Sequence, residues 1–234
     1  MKKLMILSMA FLYCMAASSQ FEFNPTVGGG RFDARDVSGR SLIKAYDGEI
    51  AGSPFINENW ERAMLTLARG KTIGPVMVKL NIERNELNFK DSANKEFVAE
   101  PEQVRKIDYI SFYLKDSIRY VFKNGYPAIN KQTASFYYQV YTEGKIELLG
   151  KKTKYIKVDK NDLSGETTME FLDAATVFYV YSNRTMQEFF PYKSLALTIM
   201  RDKEQAIAAY MSENKSNLKK TLDLIKLFQY YNSL

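Results

Sequence analysis

Alternating hydrophobic and polar positions dominate the middle of the chain and predict a series of short β-strands. Residues 76–82 alternate: Val76, Val78, Leu80 and Ile82 would lie on one face of an extended segment, and Met77, Lys79 and Asn81 on the other. The first of these faces is entirely apolar, as in a half-buried strand. Comparable segments occupy residues 60–67, 86–90, 95–99, 107–114, 117–122, 135–141, 145–149, 155–158, 176–181 and 186–190. Because short turns separate most of them, they predict an antiparallel meander, with residues 159–168 polar and irregular.

The pattern changes to helical spacing after residue 193. Residues 194–200 predict a short helix, and Asp202 with Gln205 matches a capping box in front of a second helix. Residues 214–217 break that helix. The last segment carries an apolar stripe at spacings of three and four residues, formed by Leu218, Leu222, Ile225, Phe228 and Tyr231, and widened by Leu224 and Leu227. This stripe predicts a helix docked on the sheet; docking on a partner protein is the alternative.

The N-terminus has the composition of a cleavable secretory leader. Lys2 and Lys3 precede an apolar run that ends near Met15, and small residues follow it. These features predict a signal peptide over residues 1–19, cleaved between Ser19 and Gln20. Cys14 falls within the apolar run. Residues 20–40, which include a glycine triplet, are predicted to form an extended or flexible lead-in.

Together these patterns predict an α+β protein. Residues 41–190 are expected to form an antiparallel β domain, either a roll or a sandwich-like meander. Residues 191–234 are expected to form C-terminal helices packed on it. The apolar run of the leader is shorter than a membrane-spanning helix, so the processed chain is predicted not to be transmembrane.

The residue types that are missing restrict the chemistry. The chain has no histidine, and its single cysteine lies in the predicted leader. The processed chain therefore lacks imidazole bases, thiolate nucleophiles and the usual zinc ligands. We predict no catalytic residue, no metal site and no cofactor, which favours a protein that is not an enzyme. The alternative is a glycan-acting enzyme that uses a carboxylate pair from Glu58, Glu61, Glu83 and Glu86.

Charge and aromatic residues suggest where a ligand could bind. The formal net charge is +6, two units lower without Lys2 and Lys3, and it is spread along the chain, which argues against a nucleic-acid partner. Two groups are candidate binding residues: Tyr137, Tyr138 and Tyr141, as a sugar-stacking surface, and Lys151, Lys152 and Lys154, as a contact for an anionic polymer. The alternatives are cross-strand packing for the tyrosines and protection of an edge strand for the lysines.

Four pieces of sequence carry a family resemblance: the predicted leader, residues 52–55 (Gly-Ser-Pro-Phe), residues 81–90, and the ending from Asp223 to Leu234. With these pieces the chain resembles a family of uncharacterised exported proteins of Bacteroidota, which has no established activity and therefore implies no site residues. The resemblance implies the periplasm or cell surface of a Gram-negative bacterium. The expected function is that of an exported, non-catalytic binding or accessory module of the cell envelope, whose partner is an envelope protein or a glycan.

Overall fold

The computed structural model describes residues 34–36, 50–113, 116–161, 163 and 165–234. Within these residues strands form an eleven-stranded and a three-stranded sheet, and helices end the chain. The predicted α+β class, an antiparallel meander followed by a C-terminal helical segment, is confirmed. The predicted signal peptide, the glycine triplet and most of the predicted lead-in lie outside the described residues.

The strands in chain order are β1 (Ala34–Asp36), β2 (Ile50–Ala51), β3 (Glu61–Leu67), β4 (Thr72–Asn81), β5 (Glu86–Lys90), β6 (Glu96–Ala99), β7 (Val104–Tyr113), β8 (Asp116–Lys123), β9 (Tyr138–Thr142), β10 (Glu147–Lys151), β11 (Lys154–Lys160), β12 (Thr167–Asp173), β13 (Val177–Ser182) and β14 (Thr185–Phe189). The helices are α1 (Lys193–Ile199), α2 (Glu204–Glu213) and α3 (Thr221–Ser233).

The large sheet is an extended meander with the order β1-β6-β5-β4-β3-β7-β8-β9-β10-β13-β14. Its neighbouring strands are antiparallel throughout the described residues. Register irregularities interrupt β3 against both of its neighbours, between Ala63 and Leu65 and between Thr66 and Leu67. Bulges bend a strand, and open sheets of this width curl. The sheet therefore has a distinct inner and outer face.

One row of inward-pointing residues defines the inner face. The row crosses the sheet from β3 to β14 through Leu65, Ile107, Phe122, Gln139, Gly150, Phe178 and Phe189. On the strands of the N-terminal half of the sheet, the inner face forms one hydrophobic cluster. This cluster includes Leu65, Phe89 and Ile107, each fully buried. In the C-terminal half of the sheet, a second cluster joins the inner residues of β10, β13 and β14 to the helices.

The last helix covers the C-terminal inner face with Leu224, Leu227, Phe228 and Tyr231. The predicted stripe is correct at Phe228 and Tyr231 but wrong at Leu222, which is 61% exposed. Leu218 lies before the helix begins at Thr221. Leu218 is nevertheless buried in the same cluster, and Leu224 and Leu227, which widen the predicted stripe, are buried with it, so the stripe is wrong only at Leu222.

The predicted capping box is wrong. Asp202 lies in a short 3₁₀ turn (Arg201–Lys203), and α2 starts at Glu204 without a side-chain cap. The carboxylate of Asp202 instead accepts hydrogen bonds from Lys145 Nζ at 2.5 Å and from the Tyr231 hydroxyl at 2.9 Å. The side chain of Asp202, which the local sequence spacing predicts to cap the helix, thus binds residues that are distant in the sequence.

The outer face of the C-terminal half is covered by the segment that joins β8 to β9. Tyr126 is buried there with Tyr138 and Tyr179, and Ile129 and Phe136 pack against them. The ring of Tyr138 meets the rings of Tyr126 and Tyr179 edge-on, at centroid distances of 5.8 and 5.4 Å. The C-terminal half of the large sheet is therefore packed on both sides.

The small sheet has the order β11-β12-β2, with β2 parallel to β12. The sequence pattern predicts no strand at β12, yet β12 pairs with β11 over seven residues. Most of β12 is exposed, and only Met169 is buried in it. A strand with so little burial has no reason to show the alternation on which a sequence-based assignment depends.

Asparagine side chains fix three of the connecting segments. Asn85, at φ +57°, accepts a hydrogen bond from Tyr137 N and donates one to Ser135 O. Asn124 donates to the carbonyl oxygens of Pro101 and Val104. Asn232 pairs with both backbone groups of Ile146, accepting from its N–H at 3.0 Å and donating to its carbonyl at 2.9 Å. The amide of Asn232 thereby joins the C-terminal helix to the turn between β9 and β10.

Candidate functional site

The predicted binding tyrosines occupy packing positions. Tyr137 and Tyr138 are 3% and 1% exposed, and the Tyr137 hydroxyl donates to Val104 O at 2.9 Å. Burial raises the pKa of both hydroxyls above their ordinary value. Tyr141 is half-buried against Phe178, with ring centroids 5.8 Å apart, and burial raises its pKa to about 12. Tyr137 and Tyr138 therefore offer no exposed ring face to a sugar.

The predicted lysines lie at the junction of the two sheets. Lys151 ends β10 and Lys154 begins β11, an edge strand of the small sheet. Lys154 Nζ donates to Ser53 O at 2.8 Å, and partial burial lowers the pKa of Lys152. The register places Tyr138 and Lys151 on the outer face of the large sheet and Tyr141 on the inner face. The structure does not bring the predicted binding residues together into one surface.

Two of the four candidate carboxylates, Glu61 and Glu83, are engaged by neighbouring polar side chains. Glu61 accepts hydrogen bonds from Ser111 Oγ at 2.6 Å and from Asn57 Nδ2 at 3.3 Å. Glu83 lies 3.5 Å from the guanidinium of Arg84, and Glu58 is exposed. Within the described residues no cluster of three or more histidine, cysteine or acidic side chains could hold a metal ion.

A recess of about 190 Å³ lies beside the β13–β14 turn, lined by Ile146, Val180, Ser182, Asn183, Thr185, Gln187 and Ile199. Every lining side chain is aliphatic, a hydroxyl or an amide. The recess therefore lacks an acid, a base or a charged anchor, and it offers only packing and neutral hydrogen bonds.

A cluster of aromatic and cationic side chains on the outer face is the strongest candidate for a binding site. It consists of Phe55, Trp60, Lys79 and Lys90, and we call it the Trp60 cluster. The Lys79 ammonium lies 5.1 Å from the centre of the Phe55 ring and 5.3 Å from that of Trp60. The Lys90 ammonium lies 4.6 Å from the Trp60 ring. Two cations thus share the single indole of the chain.

The sheet register explains how these side chains meet. Trp60 directly precedes β3, whose Glu61 pairs with Val78, so Trp60 lies beside Lys79. Lys79 in turn pairs with Asn88 on β5, and Lys90 projects from the same outer face two residues further along. Phe55 is held by its bridge to Asn81, next to the hydrogen bond from Ile56 N to Leu80 O. Regular β-strands therefore position Lys79 and Lys90, while Phe55 and Trp60 are held beside them by a backbone bridge and by the start of β3.

The electrostatics of the Trp60 cluster favour an anionic ligand. Lys90 Nζ is 3.8 Å from the carboxylate of Glu96, which is the one ion pair that either ammonium group forms among the described residues. Asn88 is 1% exposed, and its Oδ1 accepts no hydrogen bond from the part of the chain that the structure describes. Aromatic rings pack against the apolar faces of sugars, and ammonium groups form strong hydrogen bonds with carboxylates. This combination of groups suits an acidic saccharide.

Sequence reasoning missed the Trp60 cluster, because it used Trp60 only as part of a predicted strand. A signal was present in the alternation itself. The pattern that points Val78 and Phe89 inward points Lys79 and Lys90 outward, and the only tryptophan of the chain lies at the start of the preceding strand. The alternation does not specify the strand register, and it is the register that makes Trp60, Lys79 and Asn88 neighbours.

No helix within the described ranges is both long and apolar enough to cross a membrane.

Comparison with known proteins identifies no relative of this chain. The chain matches no protein-family model, and neither the curated proteins nor the solved structures contain a match to it.

Proposed function

We propose that the protein is an exported, non-catalytic binding module of a bacterial cell envelope, and that the Trp60 cluster binds an acidic saccharide. The observation that carries the proposal is the pair of ammonium groups within 5.3 Å of one indole ring. A uronic-acid residue would stack on the aromatic surface and place its carboxylate against Lys79 or Lys90.

The export part of the proposal rests on the leader-like residues 1–19 and on the resemblance to exported Bacteroidota proteins. An envelope location is consistent with a saccharide ligand, because cell-surface polysaccharides commonly carry uronic acids. The processed chain also contains no cysteine, so its stability does not depend on the redox state of the compartment.

The carboxylate-pair alternative gains no support from the geometry. Glu61 is engaged by Ser111 and Asn57, and Glu83 lies beside Arg84. A glycosidase requires two carboxyl groups on either side of one bond, about 5 to 10 Å apart across an open cleft. The recess beside the β13–β14 turn has no carboxylate in its lining.

Tryptophan fluorescence tests the proposal directly, because Trp60 is the only tryptophan. Titration with tetragalacturonic acid should change the emission in a saturable manner, and the methyl-esterified tetramer should bind more weakly. The variants Lys79→Gln and Lys90→Gln should each raise the dissociation constant about tenfold, which corresponds to the loss of one charge-assisted contact.

Lys106→Gln is the matched control, because Lys106 is another outer-face lysine of the same sheet, 3.6 Å from Asp108 and outside the Trp60 cluster. Its affinity for the tetramer should equal that of the unmodified chain. Equal binding of the acid and the ester, or equal effects of all three substitutions, would contradict the assignment. N-terminal sequencing of the protein from its native cells tests export separately, and an intact Met1 would contradict it.

A further inference from the structure

Within the described residues, the last strand of the large sheet has one unpaired edge. β14 pairs with β13 on one side, and it ends the strand order. Asn183 and Arg184 connect the two strands in a two-residue turn with φ values of 50° and 62°. In such a hairpin the residues that flank the turn, Ser182 and Thr185, form a hydrogen-bonded pair.

This turn determines which backbone groups of β14 point away from β13. Hydrogen-bonded and non-hydrogen-bonded pairs alternate along an antiparallel ladder. Since Thr185 is hydrogen-bonded to β13, so are Gln187 and Phe189, and the N–H and C=O groups of Met186 and Glu188 face the open edge. Neither residue has a further backbone hydrogen bond within the described chain.

Within the described residues, β14 has no lysine, proline or bulge, which are devices that protect natural edge strands from pairing, and its one charged side chain is Glu188. β14 has the sequence Thr-Met-Gln-Glu-Phe, and its pairing with β13 has no register shift. Directly after β14, Phe190 and Tyr192 are 51% and 61% exposed, and their rings stack 6.3 Å apart. Apolar surface thus continues the open edge.

We propose that two copies of this chain associate by pairing their β14 strands antiparallel about Gln187, which joins the two large sheets into one continuous sheet. In this register Met186 of each copy lies opposite Glu188 of the other. The outward N–H and C=O groups of Met186 in one copy then pair with those of Glu188 in the other. The two-fold axis repeats this pair, so four backbone hydrogen bonds form across the interface.

Charge complementarity supports a second copy as the occupant. About Gln187, Arg184 of one copy lies opposite Phe190 of the other and diagonal to Glu188 of that copy. Diagonal neighbours on adjacent antiparallel strands lie about 7 to 8 Å apart between their Cα atoms, within reach of an arginine side chain. Each end of the interface therefore pairs a cation with a carboxylate and an exposed aromatic ring, and no like charges lie opposite each other.

Sedimentation velocity of the full chain, over a concentration series, tests this association. The chain should sediment as a dimer at high concentration and dissociate on dilution. Glu188→Pro removes one outward N–H and leaves the ladder to β13 intact, so it should raise the dimer dissociation constant at least about tenfold. Glu188→Gln keeps that N–H and an oxygen that can accept the hydrogen bond from Asn130, and should have a smaller effect.

A charge exchange separates this interface from a simple loss of folding. Arg184→Glu and Glu188→Arg should each weaken the dimer, and the double variant should restore it, because the two charges meet only across the interface. Circular dichroism of each variant verifies the fold. A chain that stays monomeric at every concentration would overturn the proposal, and so would a dimer that is insensitive to Glu188→Pro or a double variant that is as weak as the single ones.

Discussion

The C-terminal half of the large sheet is packed on both faces, whereas the N-terminal half leaves much of its outer face open. In the C-terminal half the helices cover the inner face, and the segment with Tyr126 and Phe136 covers the outer face. In the N-terminal half the inner face is buried, but on the outer face Met64, Met77 and Ile110 are 43%, 36% and 49% exposed.

The difference separates a region whose two faces are packed, and whose β14 edge alone is open within the described residues, from one whose outer face is free to contact other molecules. The C-terminal half uses its aromatic residues for packing, and Tyr138 and Tyr179 are almost completely buried. The N-terminal half places Trp60 beside two lysines on its outer face. We therefore expect substitutions in the first region to reduce stability and substitutions in the Trp60 cluster to change binding.

The largest expected effect is in the helix layer. Phe228 is completely buried, and its ring meets that of Phe189 edge-on at 5.5 Å. Phe228→Ala should lower the free energy of unfolding by about 3–5 kcal/mol, because it leaves a cavity between the helix and the sheet. Phe55→Ala, in the half-buried Trp60 cluster, should cost no more than about 1 kcal/mol. Urea denaturation measures both, and equal losses would contradict the comparison.

A smaller loss is expected where the C-terminal helix is joined to the sheet. Asn232→Ala should cost about 2 kcal/mol, because it leaves the N–H and the carbonyl of Ile146 without their partner. Asn214→Ala is the matched control. Asn214 donates to Tyr210 O in an exposed position within its own helix, so this substitution should change stability by less than about 0.5 kcal/mol.

Gly144 provides a second test of the same junction. A Cβ atom at Gly144 would lie 2.7 Å from Cγ of Asn232, and the backbone there has φ +146°. Gly144→Ala should therefore destabilise the chain. In the Asn232→Ala background the steric part of that loss should be relieved, so the two substitutions should be less than additive in urea denaturation. Full additivity would contradict a direct contact.

Local patterns were sufficient for the strands whose inner face is buried. The alternation from Val76 to Ile82 corresponds to β4, and that from Glu86 to Lys90 corresponds to β5. The patterns failed where long-range partners determine the structure. Asp202 has the spacing of a capping residue, but Lys145 and Tyr231 bind it. The strand β12 has too little burial to be recognised.

The candidate site was less predictable than the fold, for a related reason. Tyrosine-rich and lysine-rich runs are conspicuous in the sequence, yet Tyr137 and Tyr138 are buried and Lys154 lies in an edge strand. The Trp60 cluster is assembled from four residues spread over residues 55–90 by strand register. Register depends on the pairing of whole strands, which single-sequence patterns do not specify.

The smallest effect concerns an ion pair on the open outer face, and its dependence on pH identifies its origin. Asp108 on β7 accepts hydrogen bonds from Arg119 Nε at 2.9 Å and from its terminal nitrogen at 2.6 Å, across the pairing of β7 with β8. The hydrogen bonds from Arg119 hold the pKa of Asp108 below its ordinary value of 3.8. Because the Arg119 side chain is 63% exposed, Asp108→Asn should cost only about 0.5–1 kcal/mol at neutral pH.

A carboxyl group whose pKa is lowered by folding stabilises the native state above the pKa of the unfolded chain. This contribution disappears as the pH falls through the pKa of the folded state. The difference in unfolding free energy between the unmodified chain and Asp108→Asn should therefore be constant near neutral pH and shrink below about pH 4. Asp159→Asn, which breaks the exposed pair with Lys157, should have a smaller effect near neutral pH. A loss at Asp108→Asn that is as large at pH 3 as at pH 7 would show that packing of the side chain, and not its charge, stabilises this open face.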